Sequence, residues 1–499
     1  MTSSKNKKIL LVYPDYPDTF WGFKHAIKFI SKKAVYPPLG LLTVATLLPN
    51  NWEKKLVDLN VKILKDEDLK WADYVFISAM DVQKKSVREI INRCQKIGAK
   101  IVAGGPLFTS NYDQFADVDH LILNEAEITL APFLHDIQNN SAKHIYSTDK
   151  WADIKTTPLP LWELVNFKNY SSMNIQYSRG CPFNCDFCDI TLLYGRQIRT
   201  KGTTQIIAEL EKLYSFGWRG QVFIVDDNFI GNKEKLKKEI LPAIVKWRDS
   251  KKCSFSFHTE ASINLSDDKE LMELMVQAGF DTVFVGIETP NQESLTECNK
   301  FQNKNRDLIN SVNIIQQSGL QVQGGFIIGF DNDPHSIFEN QINFIQKSGI
   351  VTAMVGLLNA VRGTDLHLRL EKENRILKHF SGDNTDFSLN FIPKMDSQIL
   401  IDGYKKVLKT IYAPKYYYRR VKTFLKMYKP LTQRRSPVKL CNLLAFLKSI
   451  FWLGIIGRER YHYWKLFFWT LTTRPKSFPL AITLSIYGFH FRKIFEKSL

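Results

Sequence analysis

Cys181, Cys185 and Cys188 stand in the run Gly180-Cys-Pro-Phe-Asn-Cys-Asp-Phe-Cys, a C-x3-C-x2-C triplet. Three of the chain's seven cysteines thus share one short loop. Thiolates this close suit a soft metal, and cysteine thiolates are the usual ligands of iron–sulfur clusters. Three ligands for a four-iron cluster leave one iron without protein sulfur and open to a small molecule. A zinc knuckle is the competing reading. Zinc closes a tetrahedron with paired Cys or His ligands, and no second such pair follows nearby. The odd cysteine count opposes a disulfide framework. The polar stretch Met1–Lys8 lacks the apolar core of a signal peptide, so the expected compartment is the cytoplasm, where thiols stay reduced.

The longer run Gln176-Tyr-Ser-Arg-Gly-Cys-Pro-Phe-Asn-Cys-Asp-Phe-Cys-Asp-Ile-Thr, with Leu193-Tyr-Gly-Arg after it, is more specific. It resembles the cobalamin-binding branch of the radical S-adenosylmethionine (SAM) family that carries a dedicated C-terminal domain of the DUF4070 type. The hopanoid C-2 methylase belongs to that branch. The resemblance covers nearly the whole chain. It implies three cofactors: a [4Fe-4S] cluster on the cysteines, SAM chelated by the open iron, and cobalamin. It also implies that Phe187 lies against the SAM adenine; the alternative is that Phe187 only packs the loop. A reductant such as flavodoxin or ferredoxin is implied as well.

Short apolar runs alternate with helical patterns through most of the chain, which reads as α/β. Strands are expected at Lys8–Tyr13, Lys55–Leu59, Tyr74–Ser78, Lys100–Ala103 and His120–Leu123. Helices are expected at Leu39–Leu48 and Ser86–Ile97. Five such strands form a doubly wound parallel sheet, with ligands at the strands' carboxyl ends. Residues 1–145 are read as this cobalamin-binding, Rossmann-like domain, and 146–170, polar and punctuated by Pro158 and Pro160, as a linker. A second alternation gives strands at Met173–Ser178, Val222–Val225, Ser254–His258, Thr282–Ile287, Gln321–Ile328 and Thr352–Leu358. Its helices are Thr203–Phe216, Lys233–Trp247, Asp267–Ala278, Arg306–Gly319 and Pro334–Gly349. Six units fit a partial barrel over 171–385, smaller than the eight-unit form. Residues 386–499 read as a mainly helical C-terminal domain.

Candidate residues cluster at the strand ends. Asp226, Asp227 and Asn228 follow the second barrel strand, where the resemblance implies a site for the SAM amino group; a helix cap by Asp227 or Asn228 is the other reading. Glu260 and Glu288 end the next two strands, where a carboxylate accepts bonds from ribose hydroxyls or an ammonium, or forms a surface ion pair. Gly325, in Gly324–Phe330, resembles the glycine that lets adenine approach the backbone. His258 reads as a packed core residue. In the first sheet Leu39, Gly40, Ser78, Ala79, Met80, Gly104, Gly105 and Glu125 are the implied cobalamin contacts. Glycines there could admit the cofactor's nucleotide tail. The Asp-x-His-x-x-G loop common in cobalamin-binding sheets is missing, and the connection Pro14–Pro37 holds only His25. Cobalamin is therefore expected without a histidine below the cobalt. Arg362 stands where relatives have a proline.

The charge is uneven. Residues 401–499 hold 21 Lys and Arg against three acids, Asp402, Glu459 and Glu496, which accounts for the whole net charge of +18. Phe451-Trp452, Trp464 and Phe467-Phe468-Trp469 lie among these cations. Such a segment serves nucleic acid, anionic lipid or an acidic substrate. It lacks a recognisable RNA-binding module, so nucleic acid is disfavoured. Two readings stand: peripheral contact with the inner face of a membrane, or a helical lid packed on the barrel. Ser477–Phe491 is too short and interrupted for a span.

The resemblance implies methyl transfer to an unactivated carbon of an apolar, hopanoid-like lipid or other small molecule. SAM would serve both as methyl source through cobalamin and as radical source. Two alternatives remain. One is a radical SAM rearrangement, sulfur insertion or RNA modification without methyl transfer. The other is a non-catalytic cobalamin-responsive protein, which the complete cysteine triplet opposes.

Overall fold

Buried parallel strands need apolar side chains on both faces, and the first third of the chain supplies them. In the computed structural model, which describes residues 6–251, 255–377, 381–383, 385–429 and 440–496, β1 (Lys8–Tyr13), β2 (Glu53–Asp58), β3 (Tyr74–Ser78), β4 (Lys100–Gly104), β5 (His120–Ile122) and β6 (Ile145–Tyr146) form one sheet. Its order is β2-β1-β3-β4-β5-β6, all parallel. The sequence shows five of these strands. The sixth is two residues long and lies at the start of the segment read as linker. That segment is not a loose tether. Ile154 and Trp162 are fully buried, and the Tyr170 hydroxyl donates to Asp58 Oδ2 at 2.8 Å. Its polar, proline-rich composition conceals three apolar anchors.

The second sheet contains β7 (Ser172–Ile175), then, after the short antiparallel ribbon β8 (Ser178–Arg179) and β9 (Arg199–Thr200), the strands β10 (Gln221–Ile224), β11 (Ser256–Glu260), β12 (Phe280–Glu288), β13 (Gln321–Ile328) and β14 (Ala353–Leu357). They run parallel in the order β14-β13-β12-β11-β10-β7, the expected six-stranded partial barrel. Ser254, the expected start of the third of these strands, lies outside the described residues. Side chains alternate across the pleat. Val222, Ile224, Phe257 and Val283 are buried under the helices, while Phe223, His258, Phe284 and Gln323 stay partly open on the inner face. The two sheets meet through the connection that follows β1: Ala34 bridges Tyr170, and Asn174 donates to the Pro37 carbonyl at 3.1 Å.

The C-terminal segment is helical: Ser397–Tyr412, Pro414–Met427, Leu440–Ser449 with a π-type continuation Ile450–Ile456, Arg460–Thr473 and Phe478–Glu496. It is no detachable module. Tyr404 and Tyr412 donate hydroxyls to the carbonyls of Val355 and Ala353 on β14. Phe491 stacks on Phe20 of the first sheet's connection, with centroids 4.3 Å apart. Arg420 is fully buried with no carboxylate partner among the described residues, and burial pushes its pKa below the ordinary value. It donates to Gln346 Oε1 and to the carbonyls of Ile411 and Val351. Cutting it back strands three acceptors, and hydrogen bonds to a charged group are worth about 1.5–3 kcal/mol. Arg420→Ala therefore lowers stability by roughly 3 kcal/mol, read as a drop in the urea midpoint. Because the tail and barrel share this anchor, probes in both segments shift together.

Candidate functional site

A cavity of about 690 Å³ opens between the two sheets. The first sheet lines it with the carboxyl ends of β1, β3 and β4, through Tyr13, Ser78, Gly104 and Gly105. The barrel contributes Asn174, Gln176, Phe223, Asp227 and Met354 from its inner face. Of the residues assigned to cobalamin, Leu39, Gly40, Ser78, Met80, Gly104, Gly105 and Glu125 line this space. Ala79 does not: it is buried, and its carbonyl accepts from Leu107 N. Gly105 sits at φ +91°, and a side chain on Gly104 would strike the Ile122 carbonyl at 2.6 Å. The glycines thus serve the protein's own close packing as well as keeping the floor low. No histidine is among the described residues that line the cavity. His25 instead bonds Asp18 at 3.0 Å and faces His490.

The cysteines lie on the excursion between β8 and the helix Ile190–Tyr194. Gly180 enters it at φ +92°, where a side chain would meet the Gln197 carbonyl at 2.6 Å. Cys181 N donates to the Gly195 carbonyl and Cys188 N to the Cys185 carbonyl, which folds the loop onto itself. All three thiols are free and partly exposed. Burial pushes each above the ordinary thiol value, while the Lys300 ammonium opposes that shift. Metal binding must therefore release protons here. Among the described residues no three His, Cys, Asp or Glu converge as ligands of a single ion would. A [4Fe-4S] cluster spreads its thiolates over separate irons, and these three cysteines would each hold one of them. Phe187 packs against Phe330, 6.3 Å between centroids, within a small apolar cluster.

The carboxylates beyond the loop fall into distinct roles. Asp226 is buried; it accepts from Tyr177 N at 2.8 Å and the Ser178 hydroxyl at 2.6 Å. It braces the strand entering the cysteine loop, with one hydrogen bond on each oxygen. Asn228 is a second brace, accepting from Ser262 N and its hydroxyl; it makes no helix-capping bond. Glu288 sits at φ +63° and pairs with Lys300 at 2.6 Å, both side chains nearly buried. Its expected ligand contact is thus taken by a lysine, in a buried pair and not a surface one. The space over Gly325 is likewise filled, because a side chain there would meet the Phe284 ring at 2.7 Å. His258 packs as expected, stacked on Phe223 and bonded to the Tyr36 hydroxyl. Arg362 pairs with Asp113 at 2.6 Å, joining the last barrel loop to the first sheet.

Asp227 and Glu260 differ from the others. Neither has an ion-pair partner among the described residues. Burial, then the neighbouring Asp226 and Asp189, push Asp227 up to about 7. Burial, then Asp227 and Asp226, push Glu260 up to about 8. Two unpaired acids crowded at the barrel mouth are a ready site for a cation.

Four further residues beside the candidate site escape a reading by motif. Lys300 faces the cysteines, and Gln302 Nε2 lies 3.9 Å from Cys185 Sγ. Arg179 reaches Glu125 at 2.7 Å and Glu127 at 2.8 Å, and Arg199 reaches Glu125 at 2.9 Å. Ala152 N occupies the remaining side of Glu125. Glu125 therefore forms cavity wall with its carboxylate engaged, and is no free contact for a cofactor. Arg179 directly precedes Gly180, so its place in the quoted run was the available signal; Lys300 had none.

Family models match three successive stretches: a B12 binding domain over residues 29–134, the radical SAM superfamily over 175–345, and a domain of unknown function, DUF4070, over 364–499. An uncharacterized methyltransferase of Synechocystis sp. is 40% identical over 97% of this chain and 91% of its own length. The hopanoid C-2 methylase of Rhodopseudomonas palustris is 33% identical over 92% of this chain and 88% of its own. Among solved structures, the cobalamin-dependent SAM radical enzyme OxsB with aqua-cobalamin bound superposes with a TM-score of 0.61 at 16% identity, covering 99% of this chain and 84% of that one. The radical SAM methyltransferase TsrM from Kitasatospora setae, with cobalamin and a [4Fe-4S] cluster bound, gives 0.60 at 14% identity and 99% of both chains. These two share the fold. Changing Cys181, Cys185 or Cys188 to Ala should abolish cluster assembly and SAM cleavage and leave cobalamin uptake intact, checked by iron analysis and by absorbance of the bound corrinoid.

Proposed function

The chain belongs to the cobalamin-binding branch of the radical SAM family, and we propose that it transfers a methyl group to an unactivated carbon of an apolar, lipid-like substrate. It is an enzyme whose cofactors are a [4Fe-4S] cluster, SAM and cobalamin. The observation that carries the proposal is the single cavity joining the first sheet's carboxyl edge to the barrel interior, walled by Trp21, Leu39, Val44, Leu47, Phe223 and Met354. This apolar part of the lining favours an apolar guest. The hopanoid methylase likeness supports the same substrate class.

Bound together, the three groups supply a methyl carrier and a radical able to take hydrogen from an unactivated carbon. The protein's residues do the placing. Cys181, Cys185 and Cys188 hold the cluster. Asp227 and Glu260 receive the SAM ammonium and ribose hydroxyls, and the cation restores their ionised forms. Asp226 fixes the strand beneath the cluster loop. Lys300, held by Glu288, offsets negative charge at the thiolates. Trp21 donates its indole N–H to Met354 sulfur at 2.9 Å, fixing one wall of the substrate space. Leu39, Gly40, Ser78, Met80, Gly104 and Gly105 border the corrinoid. The electron comes from a flavodoxin- or ferredoxin-like donor, an acidic partner suited to the basic tail. The tail also brings the enzyme to the membrane where an apolar substrate resides.

The test is anaerobic reconstitution with cobalamin, a reductant and SAM labelled on its methyl group, followed by mass analysis of lipid extracts. One labelled methyl gained by an apolar product is expected. SAM cleavage with no label transferred would replace methyl transfer with another radical reaction. Glu260 adds a pH test. Its proton must leave for the carboxylate to bind a cation, so SAM binding strengthens as pH rises through about 8. Glu260→Gln should lack that rise in equilibrium titrations. Electron paramagnetic resonance of the Co(II) form should show no nitrogen splitting from a histidine below the cobalt, since none lines the cavity.

A further inference from the structure

The apolar residues of the tail fall into two populations. Tyr404, Tyr417, Phe424 and Phe491 are buried against the rest of the molecule. Others face water. Along the continuous helix from Leu440 to Ile456, Leu443, Leu447, Phe451 and Ile455 recur at every fourth residue, with Leu444, Trp452 and Ile456 beside them. All seven are exposed, Phe451 at 49% and Ile455 at 56%. The opposite side is packed: Ala445, Ser449 and Leu453 are buried, and Gly454 admits the Trp464 ring, whose N–H reaches the Gly454 carbonyl at 2.9 Å. Phe468, 59% exposed, stacks on Trp464 and extends the same face onto the next helix. A helix buried on one side ordinarily shows a polar face to solvent. Here the outward face is apolar, as at interaction surfaces.

The surrounding charge narrows what covers it. Between Asp402 and Glu496 the chain has one acidic residue, Glu459, which is buried and paired with Arg492. Arg458, Arg460 and Lys465 are exposed beside the apolar face. A second copy of this chain would bring these cations against their like. An anionic bilayer would not. Among the described residues no helix is long and apolar enough to cross a membrane, so the contact is one-sided.

We propose that this face, Leu443 to Ile456 with Phe468, rests on an anionic lipid bilayer, its aliphatic side chains among the acyl chains and its rings and cations at headgroup depth. The proposal rests on the apolar-substrate reading and gives it a delivery route. The same helix seats on the connection after β1, where Lys448 Nζ donates to the Lys28 carbonyl and the Ser31 hydroxyl oxygen, each at 3.1 Å. That connection lines the cavity with Phe20, Trp21, Lys24 and Lys33. The bilayer surface therefore lies beside the segment that borders the substrate space.

The test is flotation of the full-length, cofactor-loaded enzyme with vesicles of phosphatidylglycerol and phosphatidylcholine, against phosphatidylcholine alone. The enzyme should float with the anionic vesicles at low salt and release as salt rises. A variant combining F451S, W452S and I455S should lose at least about tenfold in vesicle partition. A variant combining R458E, R460E and K465E should lose the preference for anionic vesicles. Both should keep wild-type SAM cleavage, and labelled-methyl transfer to a detergent-dispersed substrate, because none of these residues touches the cavity. Absence of flotation in the wild type, unchanged flotation of the serine variant, or a dimer that the serine variant dissolves would overturn the surface. Failure of methyl transfer with flotation intact would instead count against the substrate reading alone.

Discussion

Arg179 and Arg199, gripped by Glu125 and Glu127, are the interaction on which the site depends. The arginines stand on the ribbon that carries the cysteine loop. The glutamates stand at the start of the helix Ala126–Gln138, which packs on the first sheet. All four are nearly buried. Burial by itself would raise Glu127, but the Arg179 guanidinium more than offsets it and holds the carboxyl down at about 2. That contribution is full above the ordinary carboxylate range and fades as pH falls toward about 2. Removing Arg179 leaves the buried Glu127 without its ion-pair partner, at a cost of about 3–5 kcal/mol. The network therefore fixes the cluster loop against the cobalamin edge. On the proposed reaction, this would hold the cluster and the cobalamin at a constant separation.

Environment then divides the barrel's acids by task. Asp226, hydrogen-bonded on both oxygens, is structural. Glu288 is neutralised by Lys300. Asp227 and Glu260, without an ion-pair partner among the described residues, are pushed up to about 7 and about 8 by burial and by the acids beside them. Sequence position alone treats these four alike, since each stands at a strand end. Their hydrogen bonds separate them.

What the sequence reveals follows from what kind of signal each feature leaves. Buried parallel strands are apolar runs, and all five expected strands of the first sheet and six of the barrel are present in order. The cysteine loop is contiguous and so legible. Ion pairs between distant residues leave no periodicity, which is why Arg179–Glu125 and Lys300–Glu288 were invisible. Gly325 looked like room for a ligand because a glycine does not reveal which neighbour fills its space; Phe284 does. The tail misled differently. A lid and a membrane-resting surface share one composition, basic and aromatic. The structure assigns Tyr404, Tyr412 and Phe491 to packing and leaves Phe451, Trp452 and Ile455 outward.

The central claim is that the buried arginine–glutamate network holds the cluster at a fixed distance from the cobalt. Pulsed electron paramagnetic resonance on the loaded enzyme, with Co(II) cobalamin and the reduced cluster, measures that distance distribution directly. The account predicts one narrow distribution in the wild type and a broadened or shifted one in Arg179→Gln. A narrow distribution unchanged in a folded, fully loaded Arg179→Gln enzyme would contradict it.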